Sequence, residues 1–387
     1  MINTIAKTEQ STAVDIIEIN NASVLLSNLS KGAKNRYNYS YKNQMGTGQK
    51  NIQYVNYDSL LNTSSNSSFY SRELTFTLPC GAKSGYLEQI LLECTLNSTG
   101  SNVNCLDRIG SRLFSKIYLE TINGKRLISY IDPNYINARL DALQIPGTQF
   151  ETCTNPDQLW NPGTQVTVYC PLFFNIFEDP GLFLDLSIVE ALQIRVITAP
   201  NANAIGLVSD ITSFSLRAMC TFRTMDDYNL PTKQFIKVMQ SNDMYNEKPV
   251  ALQSLSTNVE IPITCKFPIL AVYVQIYDTS NNYTRPNIIS LRTSENRVLD
   301  INTRPNFSMF ETKTTVNNNM TLVHWFTLDQ TRISQQTGVN LKELYNSSLY
   351  VQYDQVPNAN YSIYVSFEYY NTIIVDKNGI IHKPLLF

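Results

Sequence analysis

Histidine is nearly missing from this chain: only His324 and His382 occur among 387 residues. Imidazole is the usual proton shuttle near neutral pH and a common metal ligand, so histidine-based catalysis and metal binding are starved of material. Charge is scarce too. Charged residues make up 16%, with 30 Lys+Arg against 32 Asp+Glu and a net charge of −2. Holding a phosphate backbone needs clustered cations, so this balance argues against a coat that grips nucleic acid by basic attraction, and no direct sequence-specific nucleic-acid binding is expected. No stretch approaches the 18 apolar residues of a membrane-crossing helix. The nearest, residues 166–186, is broken by Asn175, Glu178, Asp179, Pro180 and Gly181. The first 20 residues carry no long apolar run, so no secretory signal is expected. N-x-S/T triplets such as Asn97-Ser-Thr99 and Asn346-Ser-Ser348 are read as unglycosylated chance products of a chain rich in Asn, Ser and Thr.

Cysteine pairing is also lacking. The seven cysteines, Cys80, Cys94, Cys105, Cys153, Cys170, Cys220 and Cys265, are odd in number, and no two are spaced CxxC. Structural zinc sites usually need such close pairs. Cys80, Cys94, Cys170, Cys220 and Cys265 fall in or beside apolar runs and read as free buried thiols of a reducing compartment. No metal and no cofactor is expected. No GxSxG, Walker A, GxGxxG or HExxH occurs. A glycosidase needs two opposed carboxyl groups. The only adjacent acids, Glu178-Asp179 and Asp226-Asp227, lie beside turns or in a linker, with nothing to set an acid opposite them. His324 lies within a strand beside Trp325, and His382 lies near the C-terminus, so neither reads as catalytic. No catalytic residue is assigned, and the chain is not expected to be an enzyme.

What the chain has in plenty is Asn (41), Tyr (23) and a 43% hydrophobic fraction. Such a fraction excludes a disordered chain, and amide and hydroxyl polarity suits turns and strand surfaces. Residues 1–71 read as a polar N-terminal arm with long loops and one apolar island, Ala13–Leu29. The island has no Lys or Arg, so it is read as docking on protein rather than on anionic lipid. From Arg72 short runs alternate with a period of two. Strands are expected at Leu74–Leu78, Tyr86–Leu96, Val166–Phe174, Ala191–Ile197 and Phe214–Met225. A hairpin is expected around Asn123-Gly124, where two positive φ angles are needed. Asp132-Pro133 should start a short helix running to about Leu143. Residues 226–249 read as a linker. Strands then resume at Ala251–Ile263, Ile269–Tyr277, Ile288–Arg292, Met320–Leu328, Leu349–Tyr353 and Tyr361–Val375. Tyr361, Tyr364, Phe367, Tyr369 and Tyr370 have no basic residue among them, so sheet packing or a protein interface is favoured over a nucleic-acid platform.

Three segments recur in the same order. Leu74–Cys80 resembles Val259–Cys265 (offset 185). Gly181–Leu184 with Leu192–Val196 resembles Gly338–Leu341 with Leu349–Tyr353 (offset 157). Leu216–Phe222 resembles Ile363–Tyr369 (offset 147). The preferred reading is two tandem β-sandwiches, at 72–225 and 250–387, the second with a C-terminal tail; one large sandwich of unrelated strands is the alternative.

Val168-Tyr-Cys-Pro-Leu-Phe-Phe174, Pro180-Gly-Leu-Phe-Leu-Asp-Leu186 and Val189-Glu-Ala-Leu-Gln-Ile-Arg-Val196 form the most informative stretch. Its pattern residues are Pro171, Leu172, Phe173, Phe174, Pro180, Gly181, Leu184, Leu192, Ile194 and Val196. Together with 107–143, the stretch resembles the double jelly-roll major capsid proteins of tailless icosahedral double-stranded DNA viruses, the lineage that includes adenovirus hexon. The resemblance implies an all-β fold of two tandem eight-stranded jelly rolls with an N-terminal arm. It further implies a homotrimeric, pseudo-hexagonal capsomer that tiles a virion capsid. Implied partners are neighbouring capsomers, penton and minor capsid proteins, and an internal membrane reached through the arm. Synthesis would be in the host cytoplasm or nucleus, without secretion. A jelly-roll lectin or spike that recognises a glycan or receptor shares the fold signals and stays open as the alternative.

Overall fold

The computed structural model describes residues 50–57, 68–79, 86–98, 109–123, 127–133, 135–136, 139, 165–174, 184–186, 189–205, 211–223, 237–252, 257–277, 286, 288–292, 297–302, 311–313, 320–325, 339–340, 347–353, 360–375 and 378–382. The chain divides into two compact units. One comprises 1–140, 144–242 and 371–386; the other is essentially 243–370.

The first unit holds β1 (Lys50–Asn56), β2 (Glu73–Thr77), β3 (Tyr86–Ser98), β4 (Phe114–Thr121), β5 (Leu127–Ile131), β6 (Gln165–Pro171), β7 (Leu184–Asp185), β8 (Leu192–Thr198) and β9 (Ile211–Arg223). One sheet runs β1-β9-β3-β6, with β7 on β3; the other runs β2-β8-β4-β5. All the pairings are antiparallel. Alternate residues turn inward, so Leu74, Phe76, Leu92, Ile117, Leu119, Val168, Leu216 and Phe222 are buried, as period-two apolar patterning requires. This arrangement of two facing sheets, each built on four main strands, is a jelly roll.

The second unit repeats it. Its strands are β10 (Lys237–Asn246), β11 (Val250–Leu252), β12 (Asn258–Pro262), β13 (Pro268–Tyr277), β14 (Ile288–Arg292), β15 (Arg297–Asn302), β16 (Glu311–Lys313), β17 (Met320–Trp325), β18 (Val339–Asn340), β19 (Ser348–Gln352) and β20 (Tyr361–Val375). The sheets run β10-β20-β13-β17-β16 and β12-β19-β14-β15. β11 also pairs with β20, and β18 with β13 as β7 does with β3; apart from β11 and the edge strand β16, the order is that of the first unit. Ile261, Val272, Val274, Ile289, Leu349, Val351 and Phe367 form one core.

The repeat reaches to single residues. Leu78 N–H donates to Leu192 O (2.9 Å) and Thr198 N–H to Arg72 O (2.9 Å); Ile263 N–H donates to Ser347 O (3.0 Å) and Tyr353 N–H to Thr257 O (2.7 Å). These bonds equate Leu78 with Ile263, the offset of 185 read from the sequence. They equate Leu192 with Ser347, an offset of 155 rather than 157. A two-residue shift keeps every side chain on its face, so alternation alone hides it. The bulges recur as well. Glu88 is the extra residue where β3 meets β9, and Leu270 where β13 meets β20. Ile128 and Val298 are the extra residues of the two β4–β5-type hairpins.

Some strands lie where the sequence pattern predicts none. β1 falls inside residues 1–71, read as an arm, and pairs with β9 from Lys50 opposite Arg223 to Asn56 opposite Arg217. β10 falls inside residues 226–249, read as a linker. Both are polar in sequence, and their order comes from partners more than 100 residues away. β15 and β16 were likewise not anticipated. The helix after Asp132 is present: Asp132 Oδ1 accepts Tyr135 N–H (3.0 Å) and its carbonyl accepts Ile136 N–H (3.1 Å). The Ala13–Leu29 island lies outside the described residues.

Replacing Ile194, wholly buried on the central strand β8, by alanine leaves a cavity. We expect a loss of about 2–5 kcal/mol, seen as a lower urea midpoint with an unchanged slope.

Candidate functional site

Most of the described residues of the pattern stretch lie in the core. Pro171 ends β6 and Leu172 N–H continues the ladder to Ile90 O (2.9 Å). Leu172 and Phe174 are buried, Phe173 half-buried. Leu184 lies in β7, with its backbone opposite Leu87. Leu192, Ile194 and Val196 are fully buried in β8, between β2 and β4. Pro180 and Gly181 lie outside the described residues, as do Glu178-Asp179 and Asp226-Asp227. His324 sits in β17 opposite Val272, and His382 is exposed. The stretch therefore brings together a sheet and its interior, and the described part of it forms no reactive constellation. Among the described residues no group of three or more His, Cys, Asp or Glu could hold a metal ion. No described helix is long and apolar enough to cross a membrane.

The polar chemistry lies on sheet faces. On the outer face of the β2-β8-β4-β5 sheet, Arg195 Nε donates to both Glu120 oxygens (3.1 and 3.2 Å), and Gln193 Nε2 donates to Oε2 (3.2 Å). The Glu120 side chain is only 4% exposed, so its charge needs these donors. Arg195 also reaches the exposed Glu73 (3.4 Å) and stacks 4.1 Å over the Tyr118 ring. The hydrogen bond to Glu120 raises the guanidinium pKa above its ordinary value. Burial pushes the Tyr118 hydroxyl up, with Arg195 opposing. The register places Arg292 of β14 and Tyr350 of β19 at the positions of Glu120 and Arg195. There Arg292 lies 3.6 Å over the Tyr350 ring. A cross-strand cation contact is kept while its residues change strands, a relation that no local motif encodes.

The outer face of the β1-β9-β3-β6 sheet is wetter. Arg217 pairs with Glu93 (2.7 Å) and stacks 4.2 Å over Tyr54. Thr95 and Thr167 share a hydrogen bond (3.0 Å), and Asn97 Nδ2 donates to Ser213 (2.8 Å). Ile52 and Tyr54 project from the edge strand, each 52% exposed. In the second unit, Ala271, Tyr273 and Glu368 on the corresponding face are buried, and Tyr273 donates its hydroxyl to Glu368 (2.8 Å). Glu247 caps three donors there: Thr264 N–H (2.6 Å), Thr264 Oγ1 (2.7 Å) and Cys265 N–H (2.9 Å). Tyr369 donates to Asp243 (3.2 Å), and burial, reinforced by Asp243, holds its hydroxyl protonated well beyond the usual range.

Cys94, Cys170, Cys220 and Cys265 are free and buried. Burial raises all four thiols, Cys220 and Cys265 to about 12.

No family model matches the sequence, and no curated protein matches it. Solved structures do. VP54 of PBCV-1, a crystal structure fitted into a reconstruction of the virophage Sputnik, superposes with a TM-score of 0.67 at 9% identity, covering 87% of this chain and 97% of that one. The PBCV-1 capsid quasi-atomic structure gives 0.66 at 11% identity, with the same coverages of 87% and 97%. The Faustovirus major capsid protein gives 0.60 at 8% identity, covering 85% and 90%. At such identities the likeness defines the fold: a double jelly roll across nearly the whole of each chain.

Arg195→Ala strands a buried carboxylate and should cost about 3 kcal/mol. Arg217→Ala, whose side chain is 42% exposed, should cost about 1 kcal/mol or less; urea unfolding of both variants checks the contrast. The four thiols should resist Ellman's reagent until denaturant is added, as peptide mapping would read. Their folded pKa values lie above the unfolded value near 9, so their contribution to stability is complete below pH 9. It falls as pH rises from about 9 towards 12, which thermal scans would follow.

Proposed function

We propose that this chain is a major capsid protein, a structural subunit of an icosahedral virion. The observation that carries the reading is the tandem repeat. Two jelly rolls with one strand order and matching bulges stand in a single chain, and the capsid proteins above share this fold over 85–87% of the chain. A chain with two like rolls offers six to a three-fold ring, which fills a hexagonal tile without needing six identical subunits. The capsomer is a homotrimer in this reading, set among neighbouring capsomers, pentons and minor proteins, with the N-terminal residues towards an internal membrane. The genome is double-stranded DNA, and the chain is made in the host cytoplasm or nucleus.

The chemistry suits crowding. Low charge density limits repulsion between copies, and Thr, Asn and Tyr on the sheet faces can meet neighbours through water. Chemistry on a substrate is not part of the role.

Light scattering on the purified chain should give three times 44.0 kDa, 132 kDa, with hexagonal sheets or shells on concentration. A persistent monomer that saturably binds a glycan would overturn the tile in favour of a receptor-binding virion protein.

A further inference from the structure

The chain returns to its first unit at the end. Residues 371–386 belong to that unit, although residues 243–370 of the other separate them from it in sequence. Two hydrogen bonds join the returning segment to Glu190. Glu190, two positions before β8, donates its backbone N–H to Gly379 O (2.8 Å). Its carboxylate Oε1 accepts the N–H of Ile381 (2.8 Å). The two bonds run in opposite directions between the same two segments, so each holds the other in place. Ile381 lies in a last short strand, β21 (Ile381–His382), which folds back on β20 with Val375 opposite Ile381 and Ile374 opposite His382. The Ile381 side chain is 2% exposed. Gly379 turns the hairpin at φ 78°, in the left-handed region where a side chain is disfavoured.

We propose that this hairpin is a clasp on the first unit, latched by Glu190. The entry to β8 is then locked only when the C-terminal end of the chain has arrived. Glu190 is a positioning residue: its carboxylate holds a backbone amide, and a charge-assisted acceptor is stronger there than a neutral one. Synthesis runs from the N-terminus, so β1 to β9 exist before their clasp does. The first unit can therefore assemble its sheets early yet lacks its final fastening until the second unit has been made. This inference does not depend on the capsid reading.

The test is amide hydrogen exchange on the full-length chain, on Glu190→Gln and on Glu190→Ala. In the parent chain the amides of residues 190 and 381 should be protected. In Glu190→Ala the Ile381 amide loses its acceptor and should exchange at least tenfold faster. The amide of residue 190 should accelerate with it, although its own acceptor, Gly379 O, is untouched, because the clasp opens as a unit. Glu190→Gln keeps an oxygen acceptor and should retain most of the protection. Amides at the β3–β9 and β13–β20 pairings should not change in either variant. Protection of residue 190 that survives in Glu190→Ala would overturn the proposal, since the hairpin would then dock without its latch. Loss of protection throughout β3 and β9 would overturn it as well, because Glu190 would then support the whole sheet.

Discussion

Each half of this protein is closed by its last strand. β9 slots between β1 and β3, and β20 between β10 and β13, so the first strand of each roll takes its backbone partner from the last one. That insertion joins residues far apart in sequence: Lys50 meets Arg223, and beside β10 the short β11 also joins β20, with Val250 opposite Ile363. The entropy of closing such loops is offset only when the inward residues of both sheets are buried together. Folding dominated by these non-local pairings is expected to be slow for the chain's size.

The same constraint sets where polarity can go. Inward positions along β8 and β19 are apolar except for Thr198, whose hydroxyl donates to Phe69 O, so most polar groups are pushed to the outer faces. There they meet across strands rather than along them. Glu120 is satisfied by Arg195 and Gln193, and Glu247 by the backbone of Thr264 and Cys265. Buried acids of this kind contribute little net stability but discriminate strongly between registers, because a slipped strand strands the charge. The bulges at Glu88 and Leu270 fix register in the same way, by placing one extra residue at the same point of each roll.

Much of the fold was legible from residue patterns because burial on one face of a sheet imposes a period of two. Leu74, Phe76 and Leu78 showed β2 and Asp132-Pro133 showed the helix start; Asn123-Gly124 marked the place of the β4–β5 hairpin but not its turn, since residues 122–126 join the strands and Asn123 has no positive φ. The candidate site was legible in a different sense. Leu172, Phe174, Leu192, Ile194 and Val196 carried a family pattern, and the structure places them in the core. The polar cross-strand contacts were not legible, since Glu120 and Arg195 stand 75 positions apart and nothing local marks them as partners.

Composition, alternation and repeat order by themselves determined an all-β chain made of two like halves, poor in charge and lacking a recognisable catalytic motif. These properties follow from side-chain chemistry at each position and from spacing along a strand. Only the tertiary structure decided that polar Lys50–Asn56 and Lys237–Asn246 are strands, that the second copy of β8 is offset by 155 rather than 157, and that the C-terminal hairpin belongs to the first unit. The physical reason is common to all three. Strand pairing is made by backbone hydrogen bonds between distant segments, and the backbone is the same at every residue, so the partner and the register come from how the whole sandwich closes.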